Sequence, residues 1–137
     1  MGEVRAQVRL TNAMDEALVR RGRLATDQVR VFQGSALVDT GAVRSAIPSA
    51  VMEELGLLPR AQLVVEFADG RKDMVDVTEP VLFEVEQRET LEEALVLGDE
   101  VIIGQTILEK LDLFVDCGGT RLIPNPAHPD QPITKMK

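Results

Sequence analysis

The sequence has few of the side chains that carry most metal and nucleophile chemistry. Its 137 residues include one cysteine, Cys117, and one histidine, His128. A lone cysteine excludes a disulfide within the chain, and a zinc site or a Ser/His/Asp triad lacks the histidines or thiolates that it would need. We therefore expect no metal and no cofactor, and we assign Cys117 and His128 structural roles.

Aromatic residues are also scarce. The chain has no Trp, no Tyr and four Phe, although 45% of its residues are hydrophobic. The core is therefore expected to be built from Val, Leu, Ile and Ala. The length suits one domain, which we place at residues 1–124, followed by a polar, Pro-rich tail at 125–137 that we expect to be extended or disordered.

Positive charge and long apolar runs are lacking as well. The chain has 15 Lys and Arg against 23 acids, for a net charge of -8. Nucleic-acid binding depends on concentrated positive charge, and no segment approaches the roughly 18 apolar residues of a membrane span. The first ten residues also lack the apolar region of a signal peptide. We expect a cytoplasmic protein with neither a nucleic-acid nor a membrane partner.

Strand patterns dominate the first third of the chain. The first ten residues alternate between apolar and polar side chains, which is typical of a half-buried strand. Residues 11–26 are polar and basic, so we predict a turn or long loop with at most one helical turn at "MDEALVRR". In "QVRVFQGSALVDT" we predict two strand segments that are broken near Gly34.

The remaining chain is predicted to be mostly β with two short helices. The first helix lies in "IPSAVMEELGL", between Pro48 with Ser49 and the stop signal Gly56. The Asp-Gly turn in "AQLVVEFADGRKDMVDV" predicts a β-hairpin. Further strands lead from Pro80 to the apolar "EVIIG", the second helix lies in "QTILEKLDL", and "LFVDCGG" and "TRLIP" are read as final strands.

One acid stands at the end of an apolar strand, in "SALVDTGAVRSAIP" at residues 35–48. A carboxylate in that position is costly unless it has partners or a function. Gly41 allows the backbone to approach whatever lies over Asp39, and the Thr40 hydroxyl can anchor the turn. Two such acids that face each other across a water share a proton, so that one acts as base and the other as acid. Peptide hydrolysis needs both roles.

The segments "ALVDTGA", "VIIGQTILEKLDL" and "FVD" resemble the retropepsin-type aspartic proteases, in particular their small single-domain bacterial relatives. The resemblance extends over about residues 3–124 in element order. It implies a retropepsin-like acid-protease fold, a closed, β-barrel-like single lobe with one or two short helices.

The resemblance also implies roles for individual residues. Asp39 would be the catalytic aspartate, Thr40 would hydrogen-bond across a dimer axis, and Gly41 and Ala42 would line the floor of a substrate groove. The flap over a bound peptide would comprise Ala68, Asp69, Gly70 and Arg71. The strand and helix that support the active-site turn would include Ile102, Ile103 and Gly104, with Gly104 at a close approach.

Two features depart from the pattern that is frequent in viral members. An acid after Asp-Thr-Gly-Ala and an arginine after the downstream glycine are replaced here by Val43 and Gln105. The flap tip carries Asp69 and Arg71 in place of a Gly-rich run, so we expect a stiffer and more polar flap. The acids of the Glu92–Glu93 pair are interpreted as part of a solvated face.

The sequence contains a single clear Asp-Thr-Gly. The only rival is "FVDCGG", but Asp116 has too little chain after it to build a second lobe, and Cys117 lacks the hydroxyl of a threonine. We interpret Asp116 as a turn acid at a strand end. The second carboxylate must then come from a second copy, and a two-fold symmetric homodimer would supply it.

Three functions stay open at this point. The first is a homodimeric aspartic endopeptidase acting on peptide or protein substrates. The second is a non-catalytic peptide-binding or scaffolding dimer that keeps the protease fold, and the third is a structural partner in a larger assembly. The simplest alternative for Asp39 itself is a structural turn acid. A turn such as "ADGR" is more often an ordinary hairpin turn than a flap, and only its place in the order of elements favours the flap.

Overall fold

The computed structural model describes residues 3–116 and 118–137, so Cys117 lies outside the described residues. Eleven strands and three α-helices follow one another along this part of the chain. The strands are β1 (Val4–Asn12), β2 (Val31–Val38), β3 (Ala46–Ile47), β4 (Pro59–Glu66), β5 (Lys72–Thr78), β6 (Val81–Val85), β7 (Arg88–Glu92), β8 (Leu95–Val96), β9 (Ile102–Ile103), β10 (Leu113–Asp116) and β11 (Arg121–Pro124). The helices are α1 (Ala13–Arg20), α2 (Ser49–Glu54) and α3 (Gln105–Leu111), with a 3-10 turn at Thr26–Gln28.

Nine strands form one sheet in the order β4-β5-β8-β3-β9-β2-β1-β6-β7, and β10 pairs with β11 in a separate hairpin. The predicted fold class, a mostly β lobe with few short helices, is confirmed. The sheet is a curled half-barrel. It has edge strands at β4 and β7, so it does not form the closed barrel that the resemblance implied.

The core is aliphatic, as the composition predicts. Leu10, Ile47, Ile103 and Ile107 are completely buried in the main cluster, and Phe83 is the one fully buried aromatic side chain among the described residues. A second, smaller cluster underlies the β4–β5 hairpin. Its buried members are Ala46, Val75, Val77 and Leu95.

Two local predictions are wrong in the first forty residues. Strand β2 is continuous through Gly34, which pairs with Val8 of β1, because the ladder to β1 holds the strand where glycine alone would weaken it. Residues 13–20 form a two-turn helix rather than a loop. The side chain of Asn12 caps this helix by accepting hydrogen bonds from the N–H groups of Met14 and Asp15, at 2.9 and 3.1 Å.

The hairpin and both predicted helices are present, but the interpretation of Glu92 is wrong. Its side chain is only 9% exposed. It accepts a hydrogen bond from the Thr106 hydroxyl at 2.8 Å and lies 3.3 Å from the Lys110 ammonium. This partly buried contact joins β7 to α3, since the helix packs its polar edge on that strand.

The Pro-rich tail contains no strand or helix after Pro124. It is nevertheless held to the body of the protein, because the His128 ring nitrogen Nδ1 lies 2.6 Å from Oδ2 of Asp112. The buried Arg88 guanidinium also donates to the carbonyl of His128 at 2.7 Å. None of the helices in residues 3–116 and 118–137 has the length and apolar character that crossing a membrane requires.

Candidate active site

Asp39 immediately follows β2, at the point where this strand runs parallel to β9. Leu37 pairs with Ile102 and Val38 with Ile103. The N–H of Asp39 donates to the carbonyl of Ile103 at 3.0 Å. The ladder therefore fixes the backbone of Asp39, while its side chain is exposed.

The turn holds one of the two carboxylate oxygens. The N–H of Gly41 donates to Oδ1 of Asp39 at 2.9 Å, and the N–H of Ala42 donates to the Asp39 carbonyl at 3.1 Å. Within the described residues no group donates to Oδ2. The carboxylate is thus oriented through one oxygen and keeps the other for a ligand or water.

The segment after the turn rests against the start of α3. A Cβ atom at Gly104 would lie 2.5 Å from the carbonyl carbon and oxygen of Arg44, so only glycine fits this close approach. The fully buried Ser45 hydroxyl accepts a hydrogen bond from the Gly104 N–H at 2.9 Å. Sequence reasoning missed Ser45, whose one signal was a polar residue within the apolar run that leads to Pro48.

Main-chain hydrogen bonds complete this support. The first two N–H groups of α3 donate into the turn, Gln105 to the carbonyl of Ala42 at 2.8 Å and Thr106 to that of Val43 at 3.0 Å. The side chain of Val43 is 71% exposed. In this chain the backbone of these residues therefore connects the turn to the helix. The pattern that is frequent in viral members has charged side chains at the positions of Val43 and Gln105.

A groove of about 580 Å³ lies between this turn and the β4–β5 hairpin. Most of its lining is apolar and comes from both sides, including Ile102, Leu95 and Leu97 below and Val65 and Phe67 of the hairpin. The charged residues in the lining are Asp39, Arg44 and Glu66. Within the described ranges, no group of three or more His, Cys, Asp or Glu side chains is arranged to hold a metal.

The structure brings only some of the sequence-predicted site residues to the groove. Those in its lining are Asp39, Gly41, Ala42, Ala68 and Ile102. Ile103 is buried in the core and Gly104 lies behind the turn. Thr40 lines a different cleft, of about 380 Å³, together with Phe114 of β10.

The tip of the hairpin, residues 69–71, stands outside the groove lining. Its polar side chains close on each other, because the Arg71 guanidinium donates to Asp69 at 2.7 Å and lies 4.9 Å from the ring centre of Phe67. The main-chain N–H and the guanidinium of Arg71 lower the pKa of the Asp69 carboxyl. Gly70 supplies the positive φ of +89° that the turn requires.

The rival acid, Asp116, has the contacts of a structural residue. Its Oδ1 accepts a hydrogen bond from the Gly118 N–H at 3.2 Å, and its Oδ2 lies 3.5 Å from the Arg121 guanidinium. These contacts close the turn between β10 and β11. Asp116 is absent from the lining of the Asp39 groove.

No protein-family model matches this sequence, and no curated protein matches it. Solved structures are similar to part of it. The solution structure of simian foamy virus (mac) protease is 22% identical, with a TM-score of 0.44, over 56% of this chain and 80% of that one. The EIAV protease complexed with the inhibitor HBY-793 is 23% identical, with a TM-score of 0.47, over 57% and 76%. Both are proteases of the group that the sequence motifs resemble, and the likeness is one of fold alone.

Proposed function

We propose that this protein is an aspartic-type endopeptidase that acts as a homodimer. The observation that carries the proposal is the state of the Asp39 carboxylate. It is exposed beside an apolar groove, the Gly41 N–H holds its Oδ1, and its Oδ2 has no donor in the described residues. A merely structural turn acid would be expected to use both oxygens, as Asp116 does.

A single copy provides one such carboxylate, and the chemistry needs two. Asp39 and Thr40 are both exposed, so their turn is accessible to a second molecule. In a two-fold symmetric pair the same surface meets itself, and Asp39 then faces its own copy without any further sequence requirement. The Thr40 side of the turn is the side that we propose contacts the partner.

The two carboxylates would share one proton, because like charges a few ångströms apart do not both ionise readily. The ionised one accepts a proton from a water that attacks the peptide carbonyl. The protonated one donates to the carbonyl oxygen, which gives a tetrahedral diol. The first carboxyl then gives its proton to the amide nitrogen and the C–N bond breaks. As it breaks, a diol hydroxyl returns its proton to the second carboxylate, which restores the starting state of the pair.

The groove fits an extended peptide with apolar side chains. Its lining of Val65, Phe67, Leu95 and Leu97 offers apolar surface in the same groove as Asp39. Burial of peptide side chains there would stabilise the complex by roughly 25 cal/mol for each Å² removed from water. The β4–β5 hairpin would lie over the bound segment and limit access of bulk water.

The direct test is cleavage of an unfolded protein at mildly acidic pH by the wild type, by Asp39→Asn and by Asp116→Asn. We expect Asp39→Asn to abolish cleavage while its molar mass in solution and its circular dichroism stay those of the wild-type dimer. The matched variant Asp116→Asn is expected to cleave. Unchanged cleavage by Asp39→Asn would overturn the mechanism.

A mixing experiment tests whether each copy supplies one carboxylate. Excess Asp39→Asn protein, equilibrated with a fixed amount of wild type, converts active pairs into mixed pairs that hold a single Asp39. We expect activity to fall as the variant is added. Constant activity, or a wild type that is monomeric and active, would contradict a shared site. A stable dimer that binds peptides and never cuts them would favour the scaffolding function.

A further inference from the structure

An arginine without a partner lies in the same groove as Asp39. Arg44 lines the groove, and within residues 3–116 and 118–137 no carboxylate lies within 4 Å of its side-chain nitrogens. The chain has 23 acids against 15 Lys and Arg. Although acids are abundant, the Arg44 guanidinium has no ion-pair partner among the described residues and is available to a ligand in the groove.

The backbone at Arg44 is held rigidly. Its carbonyl packs on Gly104 so closely that no side chain fits between them. Ser45 and Ile47, which follow Arg44, are completely buried. Arg44 and Ala46 both line the groove. Because the backbone beside the groove is fixed, the Arg44 side chain extends from a defined position.

We infer that Arg44 is a specificity-determining residue that binds a carboxylate side chain of the substrate, on a residue flanking the scissile bond. The inference rests on the proposed function and names its substrate class. A guanidinium matches a carboxylate with two parallel hydrogen bonds. A peptide that fills the groove also removes water from Arg44, and a desolvated cation then requires an anionic partner.

The other charged residues of the groove indicate which charge on a substrate side chain Arg44 selects. Asp39 and Glu66 are the remaining charged residues in the lining, and both are acids. Neither forms an ion pair with Arg44, since no such pair lies within 4 Å in the described part of the chain. Arg44 is therefore the one cationic group there that can accept an acidic side chain, and its removal would leave a groove that repels acids.

The test uses pairs of fluorogenic peptides that differ by Glu or Gln at one position on either side of the cleaved bond. For the wild type we expect kcat/KM to be about tenfold higher for the Glu peptide at one position, the size expected of a charge-assisted hydrogen bond. The ratio should fall to one or below in Arg44→Gln, where Asp39 and Glu66 remain in the groove. Arg44→Lys should lie between, because lysine keeps the charge without the planar fork. A ratio unchanged by Arg44→Gln would overturn the inference.

Arg23→Gln is the matched control, because Arg23 is exposed, lies outside the groove lining and also has no ion-pair partner among the described residues. It is expected to keep the wild-type ratio. A second readout is the pH profile of the ratio, which should fall towards one as pH drops below the substrate Glu pKa of about 4.3. Asp39 and Glu66 also line the groove and repel the Glu peptide more than the Gln peptide, so the profile is compared with that of Arg44→Gln, which keeps both acids.

Binding to Asp39→Asn separates this inference from the proposed function. The same peptide pair, labelled for fluorescence anisotropy, is titrated with that variant and with Asp39→Asn/Arg44→Gln. Tighter binding of the Glu peptide that depends on Arg44, together with a wild type that cuts nothing, would refute the peptidase and keep the carboxylate site. Efficient cleavage without preference at any position would refute the carboxylate site and keep the peptidase.

Discussion

The buried hydroxyl of Ser45 lies 2.9 Å from the main-chain nitrogen of Gly104 and accepts its hydrogen bond. This contact joins two segments that are distant in sequence, the chain leaving the Asp39 turn and the start of α3. Both residues are buried, so water does not replace the bond if it is lost. The geometry of the candidate site depends on this joint.

Ser45→Ala is expected to destabilise the protein by about 1–3 kcal/mol, because it leaves the Gly104 N–H buried without an acceptor. Urea unfolding measures the change. Ser35→Ala provides the matched control, since Ser35 is exposed on β2 and its loss is expected to change the free energy of unfolding by no more than about 0.5 kcal/mol. If the two substitutions change the free energy of unfolding equally, Ser45 does not have the structural role described here.

Gly104→Ala is expected to cost about 1–3 kcal/mol through overpacking. The new methyl group would lie 2.5 Å from backbone atoms of Arg44, and backbone cannot move aside as a flexible side chain can. Gly118→Ala is the comparison variant, because its Cβ would meet nothing closer than 3.7 Å. If the Gly104→Ala protein is as stable as Gly118→Ala, then α3 can move away from the Arg44 backbone without loss of stability, and the prediction is wrong.

Asp15→Asn is expected to destabilise the protein by about 1–3 kcal/mol, the value of a lost charged hydrogen bond. The Asp15 side chain is 6% exposed and accepts two hydrogen bonds from the Arg30 guanidinium, both at 2.9 Å. These bonds lower the pKa of the Asp15 carboxyl. Glu16→Gln, which breaks the exposed i,i+4 pair with Arg20, should cost no more than about 0.5 kcal/mol by the same urea assay.

The tail contact predicts a pH dependence of stability. The Asn125 amide foremost, then the His128 ring and the Ile133 N–H, lower the pKa of Asp112 from 3.8 to about 2. A lowered pKa means that the stabilisation is complete above the unfolded-state value of 3.8 and is lost as pH falls towards about 2.

Asp112→Asn checks this expectation. The stability difference between the wild type and this variant should shrink from pH 4 towards pH 2, since the variant has no carboxylate to protonate. Asparagine tolerates the left-handed conformation of residue 112, which has φ +57°. Asp130→Asn, on the exposed tail, controls for net charge, and a difference that is constant over this range would contradict the prediction.

Turn chemistry and helix ends were predictable because neighbouring residues decide them. The Asp-Gly of "ADGR" produced the β4–β5 hairpin, and Pro48 and Gly56 bound α2 as predicted. Helix α1 was missed, although Asn12 is a recognisable cap. Asp15 is the one buried residue of α1, and its ion pair with Arg30 joins residues that are too far apart for a local pattern to reveal it.

The candidate site was only partly predictable. The motifs identified Asp39 and Gly104, because an acid on a tight turn and a glycine after an apolar strand can be recognised from the amino-acid sequence. The flap prediction assigned residues 68–71 to the site, yet Ala68 alone of these lines the groove. Residues 69–71 form the turn beyond the last lining residue, and how far a hairpin reaches over a groove is set by the packing of the whole sheet.

The sequence by itself determined an aliphatic core, a β-rich lobe and a carboxylate aimed from a strand end, because composition and the pattern of near neighbours dictate these. Only the tertiary structure decided that β2 pairs with β9, that Ser45 meets Gly104, and that Arg44 shares a groove with Asp39. Each of these relationships joins segments through backbone hydrogen bonds or packing that form once the sheet has curled, so local sequence patterns do not specify them.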